Sequence, residues 1–171
     1  MSLNYSFKCA LASTGIFIAI KLATFFTHTQ FNGIGAYSGL IALALTVVPL
    51  YFGIKHKRDH ELGGYITIRQ VMIAGVIISI QACAMVAIYN YIHYAYIDKE
   101  VISYWTAEAK RLGASEKKSE AEIQAAITML TEFYSPFKQA TVALTGILGT
   151  GTVLSFILST FLMKRDPAEE N

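Results

Sequence analysis

Charged and apolar positions are sorted into long blocks along this chain. No Asp, Glu, Lys or Arg lies between Lys8 and Lys21, from Leu22 to Ile54, from Gln70 to Ile97, or from Gln139 to Met163. These blocks hold more than half of the 171 residues. Uncharged apolar runs of about 18 residues or more predict transmembrane helices. The first span is expected at about 7–27, apolar except for Lys21, and is read as a retained span rather than a signal peptide. The next block is too long for one helix, and Gln30-Phe31-Asn32-Gly33-Ile34-Gly35 divides it with turn residues. The second span then covers about 35–54, with a kink expected at Pro49. The third is expected at about 70–96 and the fourth at about 137–163. Helices of ~20 residues fit a hydrocarbon core of ~30 Å. The predicted fold class is all-α: an integral membrane four-helix bundle, forming a single membrane domain over 1–171.

Between the last two spans the pattern changes. No Gly or Pro occurs from Val76 to Leu112, so the third helix is expected to continue unbroken to Leu112 and to stop at Gly113. Ser119 and Glu122 form a capping-box pattern that starts another helix, which ends before Ser135-Pro136. Each arm is ~24 Å long at 1.5 Å per residue. One arm carries the apolar stripe Val101, Trp105, Ala109 and Leu112, the other Ile123, Ile127, Leu130 and Tyr134. These spacings predict an antiparallel extra-membrane hairpin over 97–135. Its candidate partner-docking residues are Val101, Trp105, Ile123, Ile127 and Leu130. Ser135 as N-cap and Pro136 at the first helical position would launch the fourth span.

Small residues recur every four positions in three spans: Gly15, Ala19 and Ala23; Gly75, Ser79, Cys83 and Ala87; Gly151, Ser155 and Ser159. Such ridges let helices approach closely in lipid, so they are expected to pack within the bundle. A further row, Thr141, Thr145 and Gly149, leaves a homo-oligomer open.

Charge sets the expected orientation. Lys8, Lys55, Lys57, Arg58, Arg69, Lys164 and Arg165 collect on the side shared by both termini. Short basic loops stay in the cytoplasm, so both termini are expected to be cytoplasmic. Lys55, Lys57 and Arg58 form the inner-face basic anchor. The formal net charge of +2 reflects that edge, which faces the lipid bilayer and is no sign of nucleic acid. Tyr89, Tyr91, Tyr94 and Tyr96 would mark the outer interface, and Tyr51 and Tyr65 the inner one.

Polar residues at depth are the remaining candidates for function. Lys21, Gln81 and Asn90 are the candidate polar intramembrane residues. Lys21 lies close enough to the outer end to snorkel. His28, His93 and Asp98 fall near one interface, where the types allow a metal or a proton relay, but no local ligand spacing supports a metal site. His56 and His60 read as part of a solvated loop. Cys9 and Cys83 are expected at different depths and unbridged. No nucleophile elbow, P-loop or zincin motif occurs, so no catalytic, cofactor-binding or metal residue is assigned.

The run Ile54-Lys55-His56-Lys57-Arg58-Asp59 with Gly63-Gly64-Tyr65-Ile66 resembles the loop signature of a bacterial family of small four-span inner-membrane proteins carrying a domain of unknown function. Tyr94-Ala95-Tyr96-Ile97-Asp98, Gly113-Ala114-Ser115-Glu116 and Phe133-Tyr134-Ser135-Pro136 are similar to that family at matching places. The resemblance implies a bacterial inner membrane and supplies no active site. The leading expectation is a non-enzymatic accessory or scaffold subunit of a membrane complex, with a membrane-protein partner or a second copy. The alternative is a small transporter or channel component using Lys21, Gln81 and Asn90.

Overall fold

The computed structural model describes residues 3–31 and 33–164. Asn32 of the expected turn and Arg165 of the basic edge lie outside the described residues. The architecture is all-helical. Its elements are α1 (Leu3–Phe26), a 3-10 turn (Gly33–Tyr37), α2 (Ser38–Leu45), α3 (Val47–His56) with a π turn (Lys57–Glu61), α4 (Ile68–Ile92) with a π turn (His93–Ile97), α5 (Glu100–Ser115), α6 (Glu120–Phe133) and α7 (Pro136–Leu162). Among the described residues, four segments are long and apolar enough to cross a membrane: Tyr5–Phe26, Gly33–Glu61, Ile68–Ile97 and Pro136–Leu162. The chain is a multi-pass membrane protein by this measure. Contacts divide it into two compact units, Met1–Val86 with Leu144–Asn171, and Ala87–Ala143.

In the first unit α1 packs on α2 and α3. The kink of the second span falls at Thr46, between α2 and α3. Pro49 has no N–H to give the Leu45 carbonyl, and its ring crowds that position. Thr46 closes the break with its hydroxyl on the Leu43 carbonyl at 2.6 Å. The second span does not stop at Ile54. The helix carries Lys55, Lys57 and Arg58 on through Glu61, because charged residues tolerate helix and nothing breaks it before Gly63 and Gly64. Those glycines adopt φ of +64° and +93°, a region open to glycine, and turn the chain. A reciprocal cap between Thr67 and Gln70 then starts α4 (Gln70 Oε1 accepts from the Thr67 N–H at 2.9 Å).

Two of the three small-residue ridges pack as expected. Gly75 on α4 faces Ser155 on α7, and Gly151 on α7 faces Ser79 on α4. The third ridge does not: Gly15, Ala19 and Ala23 are exposed on the outside of α1. Close approach on α1 comes instead from Cys9, which faces Gly53 of α3. Both cysteines are buried and free.

Basic residues gather at one end of this unit. Tyr5 at the start of α1 stacks on His56 at the end of α3, with ring centroids 3.6 Å apart. Ile66, just before α4, pairs with Lys164, just after α7, through the backbone. These contacts bring Lys55, Lys57, Arg58, Arg69 and Lys164 toward a common edge. His56 and His60 lie on one helical segment with stacked rings 4.4 Å apart, rather than in a loop.

In the second unit the third helix is not continuous to Leu112. It loosens into the π turn His93–Ile97 and breaks at Asp98, at φ −95° and ψ 72°. The Asp98 N–H reaches back to the His93 carbonyl at 2.8 Å. Aspartate is a weak helix former because its side chain competes for local polar groups. Gly113 does not stop α5 either. It sits buried inside the helix, where Ile123 of α6 occupies the space a side chain would take.

Candidate functional site: a buried polar node and a two-helix hairpin

The node assembles at the end of α4. Tyr89, Asn90, His93 and Tyr94 recur at helical spacing, and the π turn swings Asp98 back onto them. His93 is 1% exposed and Asp98 4%. His93 Nε2 and Asp98 Oδ2 stand 4.0 Å apart. The other ring nitrogen, Nδ1, lies 3.1 Å from the Tyr89 hydroxyl. The imidazole is therefore held between a phenol and a carboxylate. Asn90 Nδ2 donates to the Gln139 carbonyl at 3.4 Å, and Gln139 Nε2 donates to the Phe133 carbonyl at 2.8 Å. The amides thus tie α4 to α7 and α7 to the end of α6. Tyr94 meets His93 edge-on, and Tyr134 stacks on Trp105 with centroids 5.8 Å apart. Burial raises the Tyr134 phenol above its ordinary value, so it stays neutral.

Such a node can fix the angle at which α5 leaves α4. Enclosure of both groups suits a structural lock. π turns mark functional positions in many helices, which makes this break the feature of greatest chemical interest in the unit. His93 and Asp98 are brought together as their position near one interface anticipated. His28 belongs to the first unit, exposed, at φ +52°. Among the described residues no group of three His, Cys, Asp or Glu can hold a metal ion. Tyr89 and Tyr94 face the node, whereas Tyr91 and Tyr96 are exposed as interface residues would be. The Tyr89–His93 spacing of one helical turn was the available sequence signal for this pairing.

The hairpin lies wholly in this second unit. Ser119 and Glu122 cap α6 reciprocally: the Ser119 N–H donates to the Glu122 carboxylate at 2.8 Å, and the Glu122 N–H donates to the Ser119 hydroxyl at 3.3 Å. The Ser119 hydroxyl also donates to the Glu122 carboxylate, which holds it below its ordinary range. On α5, Arg111 grips Glu108 through two hydrogen bonds and lowers its carboxyl in the same sense.

The expected docking stripe is largely the hairpin's own seam. Val101 is 3% exposed and is corrected from a docking residue to a core residue. Trp105, Ile123, Ile127 and Leu130 are half-buried, with Trp105 on Tyr134 and Ile123 on Gly113. Amphipathic stripes on consecutive antiparallel helices satisfy each other first. What faces outward on α5 is a different row: Tyr104, Ala107, Arg111 and Ala114, all exposed and sharing one helix face.

The polar intramembrane residues fall in different units. Lys21 is half-buried in the first unit. Gln81, in the same unit, keeps its side-chain oxygen buried with no hydrogen-bond partner. Asn90 belongs to the second unit and is engaged with Gln139. A small cavity of about 10 Å³ lies among Ser13, Phe17, Leu50, Ile78 and Ile147. An open groove of about 430 Å³ lies among Ile20, Thr24, Ile34 and Ile41. Neither is lined by Lys21, Gln81 or Asn90.

Comparison with protein families gives a match over residues 8–164 to the family described as Protein of unknown function (DUF4199). The chain belongs to that family. The DUF4199 match takes in all four candidate spans almost entirely, together with the node and the hairpin. No curated protein and no solved structure matches the chain.

Proposed function

We propose that this chain is a non-enzymatic accessory or scaffold subunit of a membrane complex in a bacterial inner membrane. Both termini face the cytoplasm in this reading, and the α5–α6 hairpin stands on the outer side. The basic edge of the first unit supports the orientation, since lysine and arginine near short loops remain inside. The loop run Lys55–Asp59 with Gly63-Gly64-Tyr65-Ile66 supports the bacterial assignment by resemblance.

The observation that carries the scaffold reading is the division of labour on the hairpin. Its seam is closed by Gly113 on Ile123 and Trp105 on Tyr134, so the two helices brace each other. The row Tyr104, Ala107, Arg111 and Ala114 is exposed on one face of α5. Tyr and Arg flanked by small residues are the side chains that interfaces favour as anchors. The partner is another protein of the same membrane. Transport through Lys21, Gln81 and Asn90 has less support, because Asn90 is engaged with Gln139 and the cavity among Ser13, Phe17 and Leu50 is lined by other residues.

The test compares proteins that co-purify with the full-length chain and with Tyr104→Ala/Arg111→Ala in mild detergent. The expected result is loss of a membrane-protein partner while helix content is kept. An unchanged partner set, or no partner in either case, contradicts the proposal.

A further inference from the structure

We propose that α6 is an interfacial helix, lying with one edge in the lipid headgroup and upper acyl region rather than standing free in water. This inference rests on the multi-pass membrane reading and is independent of what α5 binds.

The edge is defined by three side chains. Met129 is 72% exposed, Phe133 44% and Phe137 76%. They recur every fourth residue, and the last belongs to the membrane-spanning segment that begins at Pro136. Ala125 and Ala126 flank them on α6 and are also exposed. The seam with α5 uses a different side of α6, that of Ile123, Ile127 and Leu130. The apolar edge is therefore a second surface, free of the hairpin's own packing.

Its continuity with the span identifies the occupant. Phe137 faces lipid in the first turn of α7, and just across the junction α6 presents exposed Phe133 and, one turn earlier, exposed Met129. Lys99 and Lys138 are exposed beside the two span ends, placed to reach headgroup phosphates while their stems stay apolar. Exposed Tyr96 ends the other span of the unit. Aromatic and basic residues at span ends mark the interfacial zone.

Length decides between an upright and a reclining helix. Were α6 collinear with α7, Met129 would stand ~12 Å from Phe137 at 1.5 Å per residue; the break at Tyr134 and Ser135 releases α6 from that axis. The headgroup layer on each side is only about 5–7 Å thick. An upright α6 would carry Met129 out of that layer into water, although it is the most exposed apolar side chain on the helix. A reclining α6 keeps Met129, Phe133 and Phe137 within the layer. Gln124 and Thr128, on the opposite side, then face water. A polar face, an apolar edge and a modest overall hydrophobicity are the marks of helices that lie in the interface plane.

The test uses the full chain in vesicles of phosphatidylethanolamine and phosphatidylglycerol, with Cys9→Ala and Cys83→Ala as background. Nitroxide labels are attached to single-cysteine variants Met129→Cys, Phe133→Cys, Gln124→Cys, Thr128→Cys and Phe137→Cys. Accessibility to oxygen, which partitions into lipid, is compared with accessibility to a water-soluble nickel chelate. The oxygen-to-nickel ratio at Met129 and Phe133 should rise severalfold over that at Gln124 and Thr128, and approach that at Phe137. Equal water access at Met129 and Gln124 overturns the proposal. Shielding of Met129 and Phe133 from both reagents overturns it too, since a protein would then cover the edge. Water access at Phe137 itself would overturn the membrane reading beneath it. Circular dichroism of each labelled variant verifies that the helices are kept.

Discussion

Gly75 of α4 lies directly against Ser155 of α7, and one turn away the pairing is reversed, with Gly151 of α7 against Ser79 of α4. Each serine turns its hydroxyl back onto its own helix: Ser79 donates to the Gly75 carbonyl at 2.8 Å and Ser155 to the Gly151 carbonyl at 2.6 Å. The polar atoms are thereby satisfied inside lipid while Cβ packs on the opposing glycine. Gly75→Ala places a methyl where Ser155 stands. It is expected to cost ~1–3 kcal/mol by overpacking. Ser155→Gly should recover most of that loss in the double variant, because it removes the opposing Cβ and hydroxyl. Unfolding of single and double variants in mixed micelles gives the coupling. Gly15→Ala, on an open face, serves as the neutral control.

The buried pair His93 and Asp98 sets a second prediction. Asp98→Ala leaves the enclosed imidazole without the carboxylate 4.0 Å away. The expected loss is ~1–3 kcal/mol, the usual cost of orphaning a buried polar group. Tyr89→Phe removes the hydroxyl from the other ring nitrogen and should cost ~1 kcal/mol. Thermal unfolding in detergent should show the larger loss for Asp98→Ala. Equal stability of Asp98→Ala and the unaltered chain would contradict the lock.

How much of this was legible in the chain differs from element to element. Charge-free blocks located the four spans, because a bilayer penalises charge over the whole length of a helix. The Ser119–Glu122 cap was legible because it is a local contact four residues long. The ends at Ile54 and Gly113 were misplaced for opposite reasons. Lys55–Asp59 looked like a loop by charge, yet helix tolerates charge until a glycine with positive φ turns the chain. Gly113 looked like a stop by type, yet Ile123 on another helix needed the room. The node was half legible: His93 and Asp98 were placed at one depth, but the π turn that joins them is set by tertiary packing. The α1 ridge shows the same limit, since periodicity finds a face but not what the face meets.

Gly113 offers a third test. A side chain there must displace Ile123, so Gly113→Val should loosen the hairpin by ~1–3 kcal/mol despite removing a helix glycine. Hydrogen exchange of α5 and α6 amides should rise in Gly113→Val and stay near its original level in Gly113→Val/Ile123→Ala. Equal exchange in all three proteins would contradict the packing described.

The α6 cap predicts a pH dependence. Glu122 is held below its ordinary value of 4.5, first by the Ser119 hydroxyl, then by the Ser119 N–H. A depressed folded value means that the cap stabilises α6 above the unfolded carboxyl range and is lost as pH falls through the folded value. Helix content should therefore decline at acid pH, and Glu122→Gln should flatten that part of the profile. An identical acid profile for Glu122→Gln would contradict the cap's contribution.

The proposed topology puts the basic helix end at Lys57 and the hairpin at Lys110 on opposite sides of the membrane. Lys57→Cys and Lys110→Cys, each in the Cys9→Ala/Cys83→Ala background, can be treated with a membrane-impermeant maleimide in intact bacterial cells with a permeable outer envelope. The account predicts labelling at position 110 in intact cells, and at position 57 only after the inner membrane is opened. Labelling of both positions from the same side would contradict it.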